Sequence, residues 1–252
     1  CTLFLRSNRG ISLTPEGKKL YEHVAIAYEQ LQIGEEEIRQ NGELENGLVS
    51  IGASENALRL VLLSRLEKFH EQYPHVRLRI SNHSTPQAIQ ALRSDIVDFA
   101  AVTTPLDIKS PLEKIPLASY REILIGGRKY KKLAEHTQKL EDIASLPFIS
   151  LDENSSTREL YNSFFLEQGL SFAPDMETAT TDQMLPLITH NLGIGFYPKK
   201  MAELALTKGD VYQIPLEEKL PLRRIYLVTN GSTAKSTAVR KMIKFIQEYH
   251  KI

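Results

Sequence analysis

Between Gly47 and Thr104 the hydrophobic period switches back and forth, and between Leu146 and Pro198 it does so again in the same order. "GLVSIGAS" reads as a strand and "ENALRLVLLSRLEKFHEQYP" as a helix. "HVRLRISNHS", "TPQAIQALRSDI" and "VDFAAVTT" then read strand, helix, strand. The second block runs "LPFISLDE", "NSSTRELYNSFFLEQG", "FAPDMETAT", "TDQMLPLITHN" and "LGIGFYP". Two βαβαβ blocks of this kind predict two parallel-sheet α/β units. The 252 residues suffice to give both a core.

A shorter echo ties the blocks together. Ile115-Pro116-Leu117 and Ile214-Pro215-Leu216 each precede an apolar, β-rich run. Proline is poorly tolerated inside a central strand, so each tripeptide marks a strand end or crossover. The expected path leaves the first unit near Pro116, builds the second, and recrosses near Pro215. The last helix, Thr237 to Tyr249, packs back on the first unit. Lobe I is then 47–117 with 222–252, lobe II is 118–221, and a hinged clamp encloses a cleft.

Ahead of the clamp lies a different pattern. Thr14 can cap a helix, Pro15 suits its first position and Glu16 its first turn. Leu20, Val24, Ala27, Leu31 and Ile38 follow with 4-3-4-7 spacing, a narrow apolar seam that skips Gly34. The helix should span 14–42 and end at Asn41-Gly42, an αL exit. At 1.5 Å per residue it reaches about 40 Å. So narrow a seam on so long a helix suggests pairing with a second helix rather than burial in its own domain.

In open α/β sheets ligands bind beyond the carboxyl ends of the strands, where helix N-termini offer free N–H groups. Those ends are rich in hydroxyls and amides here: Ser54; Asn82, His83, Ser84 and Thr85; Thr103 and Thr104; then Ser150, Asn154, Ser155, Ser156, Thr178, Thr180 and Thr181. Several are simply helix caps. Both lobes aiming such groups at one cleft points to a small-anion site. Catalytic templates are missing: there is no Gly-x-Ser-x-Gly elbow, His-Glu-x-x-His or Cys-x-x-Cys. Gly193 and Gly195 follow a helix and enter a strand, the reverse of a dinucleotide loop. No nucleophile, base and orienter assemble, so no enzyme, cofactor or metal site is expected.

Charge and cysteine content narrow the setting. Lys+Arg and Asp+Glu both number 31, so only a local patch could bind nucleic acid. One cysteine allows no internal disulfide and suits a reducing compartment. No run reaches the ~18 apolar residues of a membrane helix. The first residue is Cys1, which suggests a truncated chain or a processed lipoprotein. Thr2-Leu3-Phe4-Leu5 alternates like a strand rather than a flexible tether, which favours truncation.

From Leu3 onward the chain resembles LysR-type transcriptional regulators. Leu3-Phe4, Arg6, Arg9-Gly10 and Leu13-Thr14-Pro15-x-Gly17 match the end of that family's winged helix-turn-helix and its entry into the linker helix. "FHEQYPHVRLRI", "VDFAAV" and "LITHNLGIGFYP" match its regulatory segments, with Asn191 where the family usually has glycine. The resemblance implies an α/β, two-lobe, type II periplasmic-binding-protein-like effector domain behind a wing (1–13) and a linker helix. It implies a cytoplasmic bacterial regulator, a homodimer or tetramer paired partly through Leu20, Val24, Leu31 and Ile38. Promoter DNA would be read by a recognition helix upstream of Cys1, with Arg6 and Arg9 on phosphates or the minor groove. A small anionic co-inducer would sit on Ser54, Asn82, Ser84, Thr103, Ser150 and Thr180. The competing reading is a two-lobe solute-binding protein of a transport system; a two-lobe enzyme is a weaker third.

Overall fold

The computed structural model describes residues 1–7, 10–40 and 47–249. A hairpin of β1 (Phe4–Ser7) and β2 (Gly10–Leu13) opens the chain and pairs Arg6 with Ile11. Arg9 lies outside the described residues. Helix α1 (Pro15–Gln40) follows at once, and its expected exit at Asn41-Gly42 also lies outside them.

Local chemistry explains the Leu-Thr-Pro-x-Gly junction. Thr14 Oγ1 accepts from Gly17 N at 2.9 Å and donates to Thr2 O at 2.9 Å, while Thr14 N donates to Leu3 O at 3.0 Å. A Cβ at position 17 would collide with the Leu3 carbonyl, so only glycine lets β1 lie on the helix start. Gly17→Val should therefore loosen the hairpin at a cost of about 1–3 kcal/mol. Faster amide exchange in Phe4–Leu13 with unchanged lobes would register it; unchanged exchange would refute it.

Lobe I is built from β3 (Leu48–Ala53), a helical stretch over 55–72, β4 (Arg77–Asn82), α4 (Thr85–Arg93), β5 (Phe99–Thr103) and β6 (Leu112–Tyr120). The stretch comprises α2 (Glu55–Ala57), a π-helical turn (Leu58–Leu62) and α3 (Leu63–Gln72). Lobe II holds β7 (Glu122–Gly127), a 3-10 helix (Arg128–Ala134), α5 (Leu140–Ile143), β8 (Ile149–Leu151), α6 (Ser156–Glu167) and β9 (Met176–Thr178). It ends with α7 (Thr181–Thr189), β10 (Ile194–Pro198), α8 (Lys199–Lys208) and β11 (Val211–Ile214). The chain then returns through β12 (Arg223–Asn230) and α9 (Thr237–Glu248), which packs Val239, Met242 and Ile246 into the lobe I core.

The two sheets share one plan. Lobe I has strand order β4-β3-β5-β12-β6. In lobe II, β9-β8 and β10-β7-β11 are joined by a parallel bridge between Phe148 and Ile194, which yields the matching order β9-β8-β10-β7-β11. Each lobe thus receives its fourth strand, β12 or β7, directly from a crossing. The expectation of purely parallel sheets fails here, because β12 runs antiparallel to β5 and β6, and β7 antiparallel to β10 and β11.

The two Ile-Pro-Leu tripeptides fall on corresponding edge strands, β6 and the end of β11, where a missing N–H costs no ladder bond. Pro116 does not end its strand. The register slips between Ile225 and Tyr226, which face Ala118 and Pro116, so Leu117 is the extra residue of a bulge, and β6 runs on to Tyr120. The first crossing is accordingly the single residue Arg121, and the second is 215–222.

Lobe II is filled by Phe148, Tyr161, Phe164, Phe165, Phe172 and Phe196, with Tyr161 stacked on Phe196 at 4.6 Å. Asn191 takes φ 63 to end α7, so the left-handed residue is the asparagine and not a glycine. Gly193 and Gly195 serve close packing: a Cβ on them would stand 2.6 Å from Pro147 O and 2.9 Å from Ile149 O. His70 and His75 are exposed. The basic run after Gly127 is solvated except for Tyr130, which is buried.

Candidate functional site: the inter-lobe cleft

β3, β4 and β5 deliver their carboxyl ends to one side of a cleft, and the starts of α6 and α7 form the other. Of the six residues singled out from sequence, Ser54, Asn82, Ser84, Thr103 and Thr180 line it. Ser54 caps α2 by accepting from Ala57 N at 3.3 Å. Ser84 precedes α4 and its N–H donates to Gln87 Oε1 at 3.0 Å. Ser155 caps α6 by accepting from Arg158 N at 3.1 Å, and Thr180 precedes α7. Four helix starts therefore face one narrow space, their partial positive charges converging.

Ser150 is not part of this wall. It is buried in β8 with its Oγ unpartnered among the described residues, and its neighbour Leu151 faces the cleft instead. Strand alternation puts adjacent residues on opposite faces, so a one-residue offset accounts for the difference.

Glu55, Asn56 and Thr157 join the lining, residues that a search for caps and strand ends passes over. Asn56 Nδ2 donates to the Tyr120 hydroxyl at 3.2 Å. Asn82 Nδ2 donates to Glu55 Oε2 at 2.9 Å. Burial, followed by the charge of Asp182, raises the Glu55 carboxyl above its ordinary pKa. Among the described residues Glu55 and His83 are the only ionisable side chains on the lining.

Behind the cleft, where the crossings enter β7 and β12, sits a buried ion pair. Arg223 Nη1 donates to Glu122 Oε2 at 2.8 Å, with side chains 1% and 4% exposed. Arg223 Nη2 reaches Thr103 Oγ1 in lobe I at 3.2 Å and Thr157 Oγ1 in lobe II at 3.0 Å. Tyr161 donates to Glu122 Oε2 at 2.6 Å. Desolvation opposes the Arg223 charge, but Glu122 beside it more than compensates and its pKa rises. The pair is locally neutral, so attraction for an anion comes from helix starts and hydroxyls.

Seam residues Leu20, Val24 and Leu31 of α1 are 47%, 52% and 67% exposed; the Ile38 side chain lies outside the described residues. The Arg6 side chain does too. Among the described residues no helix is long and apolar enough to cross a membrane, and no group of His, Cys, Asp and Glu could hold a metal ion.

Comparison with known proteins gives the architecture its place. Residues 42–251 match the model of the LysR substrate binding domain. An HTH-type transcriptional regulator of Methanocaldococcus jannaschii, MJ0300, is 26% identical over 247 residues, covering 97% of this chain and 83% of that protein. The effector binding domain of QuiR in complex with shikimate superposes with a TM-score of 0.71 at 20% identity, covering 82% of this chain and 98% of that one. The Synechocystis PCC6803 CcmR regulatory domain in complex with 2-PG gives 0.72 at 14%, with the same coverage. The fold is the two-lobe, type II periplasmic-binding-protein-like one, and the relatives favour a regulator over a transport protein. The chain belongs to the LysR family of transcriptional regulators, a family of regulators rather than enzymes, and carries its effector-binding domain.

Proposed function

We propose that this chain senses a small, oxygen-rich metabolite between its lobes and passes lobe closure through α1 to a winged helix-turn-helix on promoter DNA in the cytoplasm. The observation that carries the reading is the convergence of helix starts and hydroxyls from both lobes on one cleft. QuiR and CcmR, similar in fold, are described with shikimate and 2-PG. Ser54, Asn82, Ser84, Thr103 and Thr180 would orient the ligand. Ser150 would act behind the wall, through its neighbours. Arg6 and Arg9 would contact phosphates or the minor groove. Leu20, Val24, Leu31 and Ile38 would pair α1 with a second copy, in a homodimer or tetramer.

Blocking the cleft tests the central claim. Ser84→Trp should fill the space between the lobes and lower affinity for any anion that stabilises the wild type by at least about a hundredfold. By linkage a ligand at a hundred times its Kd adds about 2.7 kcal/mol, so a thermal shift would report the loss. Unchanged affinity would put the ligand elsewhere.

A further inference from the structure

The cleft offers donors, and two of its residues also bring acceptor oxygens to it. Glu55 lines the space with its side chain 14% exposed, and Asn82 takes up one of its oxygens. Its other oxygen is 3.8 Å from Arg59, a cation 46% exposed to solvent. Asn56 is 5% exposed and commits its amide nitrogen to Tyr120. Its Oδ1 is buried and unpartnered among the described residues, and the residue belongs to the lining of the same cleft. A buried acceptor without a donor is costly, and a ligand can remove that cost only by bringing hydrogen.

We propose that the effector presents two faces: anionic oxygens toward the helix starts, and at least one hydrogen donor toward Glu55 and Asn56, with Glu55 deciding between anions of equal shape. The class this selects is the small hydroxy- or amino-carboxylate or the protonated oxyanion. A fully deprotonated oxyanion is disfavoured. It sets lone pairs against the Glu55 carboxylate and leaves Asn56 Oδ1 unsatisfied, and a site built around hydrogen bonds rejects the analogue lacking the hydrogen. The inference rests on the cleft being the effector site and adds the ligand's chemistry to it.

Matched probes separate the two claims. Glycolate and acetate differ by a hydroxyl, and phosphate keeps an acid proton near neutral pH where sulfate has none. Calorimetric titration of the full chain should show the donor-bearing member of at least one pair binding about tenfold or more tightly. In Glu55→Gln, whose amide can donate, that preference should vanish or reverse. In Glu55→Ala it should shrink without any gain for the donor-less anion. Equal binding within both pairs, a preference unchanged in Glu55→Gln, or no binding by any of the four probes would overturn the proposal. Ser84→Trp distinguishes the premise: if it abolishes binding that shows no donor preference, the cleft stands and only the inference falls. Binding that survives Ser84→Trp removes both.

Discussion

Arg223→Met is expected to lower stability by about 3–5 kcal/mol, the usual cost of leaving one member of a buried ion pair uncompensated. Methionine keeps the length of the arginine stem but lacks the guanidinium, whose carbon lies 5.7 Å from the Tyr120 ring centroid. What it removes is the partner of Glu122, whose carboxylate would remain buried with only the Tyr161 hydroxyl against it. The double variant Glu122→Gln with Arg223→Met removes both charges and should recover a large part of the loss. Against the usual 5–15 kcal/mol of a folded domain the single change is large. Urea unfolding would read it as a lower midpoint at constant slope. A single variant as stable as wild type would show that the pair contributes little.

The placement of this pair gives it a second consequence. Glu122 opens β7, Arg223 opens β12, and Thr103 and Thr157 belong to opposite lobes, so one guanidinium touches both crossings and both cleft walls. A lobe movement that lengthens any of these bonds must leave a buried polar group partly unpaired. The network thus favours discrete lobe arrangements over a continuum, which a two-state regulator requires.

None of this network is visible along the chain, because its members lie 39 to 120 residues apart and no local period links Glu122 to Arg223. The alternating periods were legible because the central strands β3, β5, β7 and β10 are buried nearly throughout, whereas the helices bury one face. Thr14, Pro15 and Gly17 were legible because capping and close approach are local. Strand direction was not: β7 and β12 read as apolar runs whichever way they point, and the bulge at Leu117 leaves no mark beyond a nearby proline. Cleft residues were found where a cap or strand end identified them. Glu55 and Asn56 escaped because an anion site was sought through its donors, and Ser150 was misplaced by strand alternation.

Changing Val24 and Leu31 together to glutamate should dissociate the assembly while leaving each chain folded. Both side chains are exposed in the single chain, at 52% and 67%, so the substitution removes no contact within the lobes, and glutamate is a good helix former. If a second α1 covers the seam, each assembly gains four carboxylates in an apolar interface and loses the burial of four aliphatic side chains. Full burial is worth about 1.5–3 kcal/mol for each of those side chains, and every 1.4 kcal/mol lost is tenfold in affinity. A shift of several orders of magnitude in the dissociation constant is therefore expected. Lys18→Glu with Ala25→Glu adds the same number of carboxylates on the face of α1 away from Leu20 and should leave the assembly intact. Light scattering across a dilution series would show the seam variant at lower mass and the control unchanged. Equal masses for wild type and seam variant, with an unaltered melting temperature for the lobes, would mean that the seam meets no second copy.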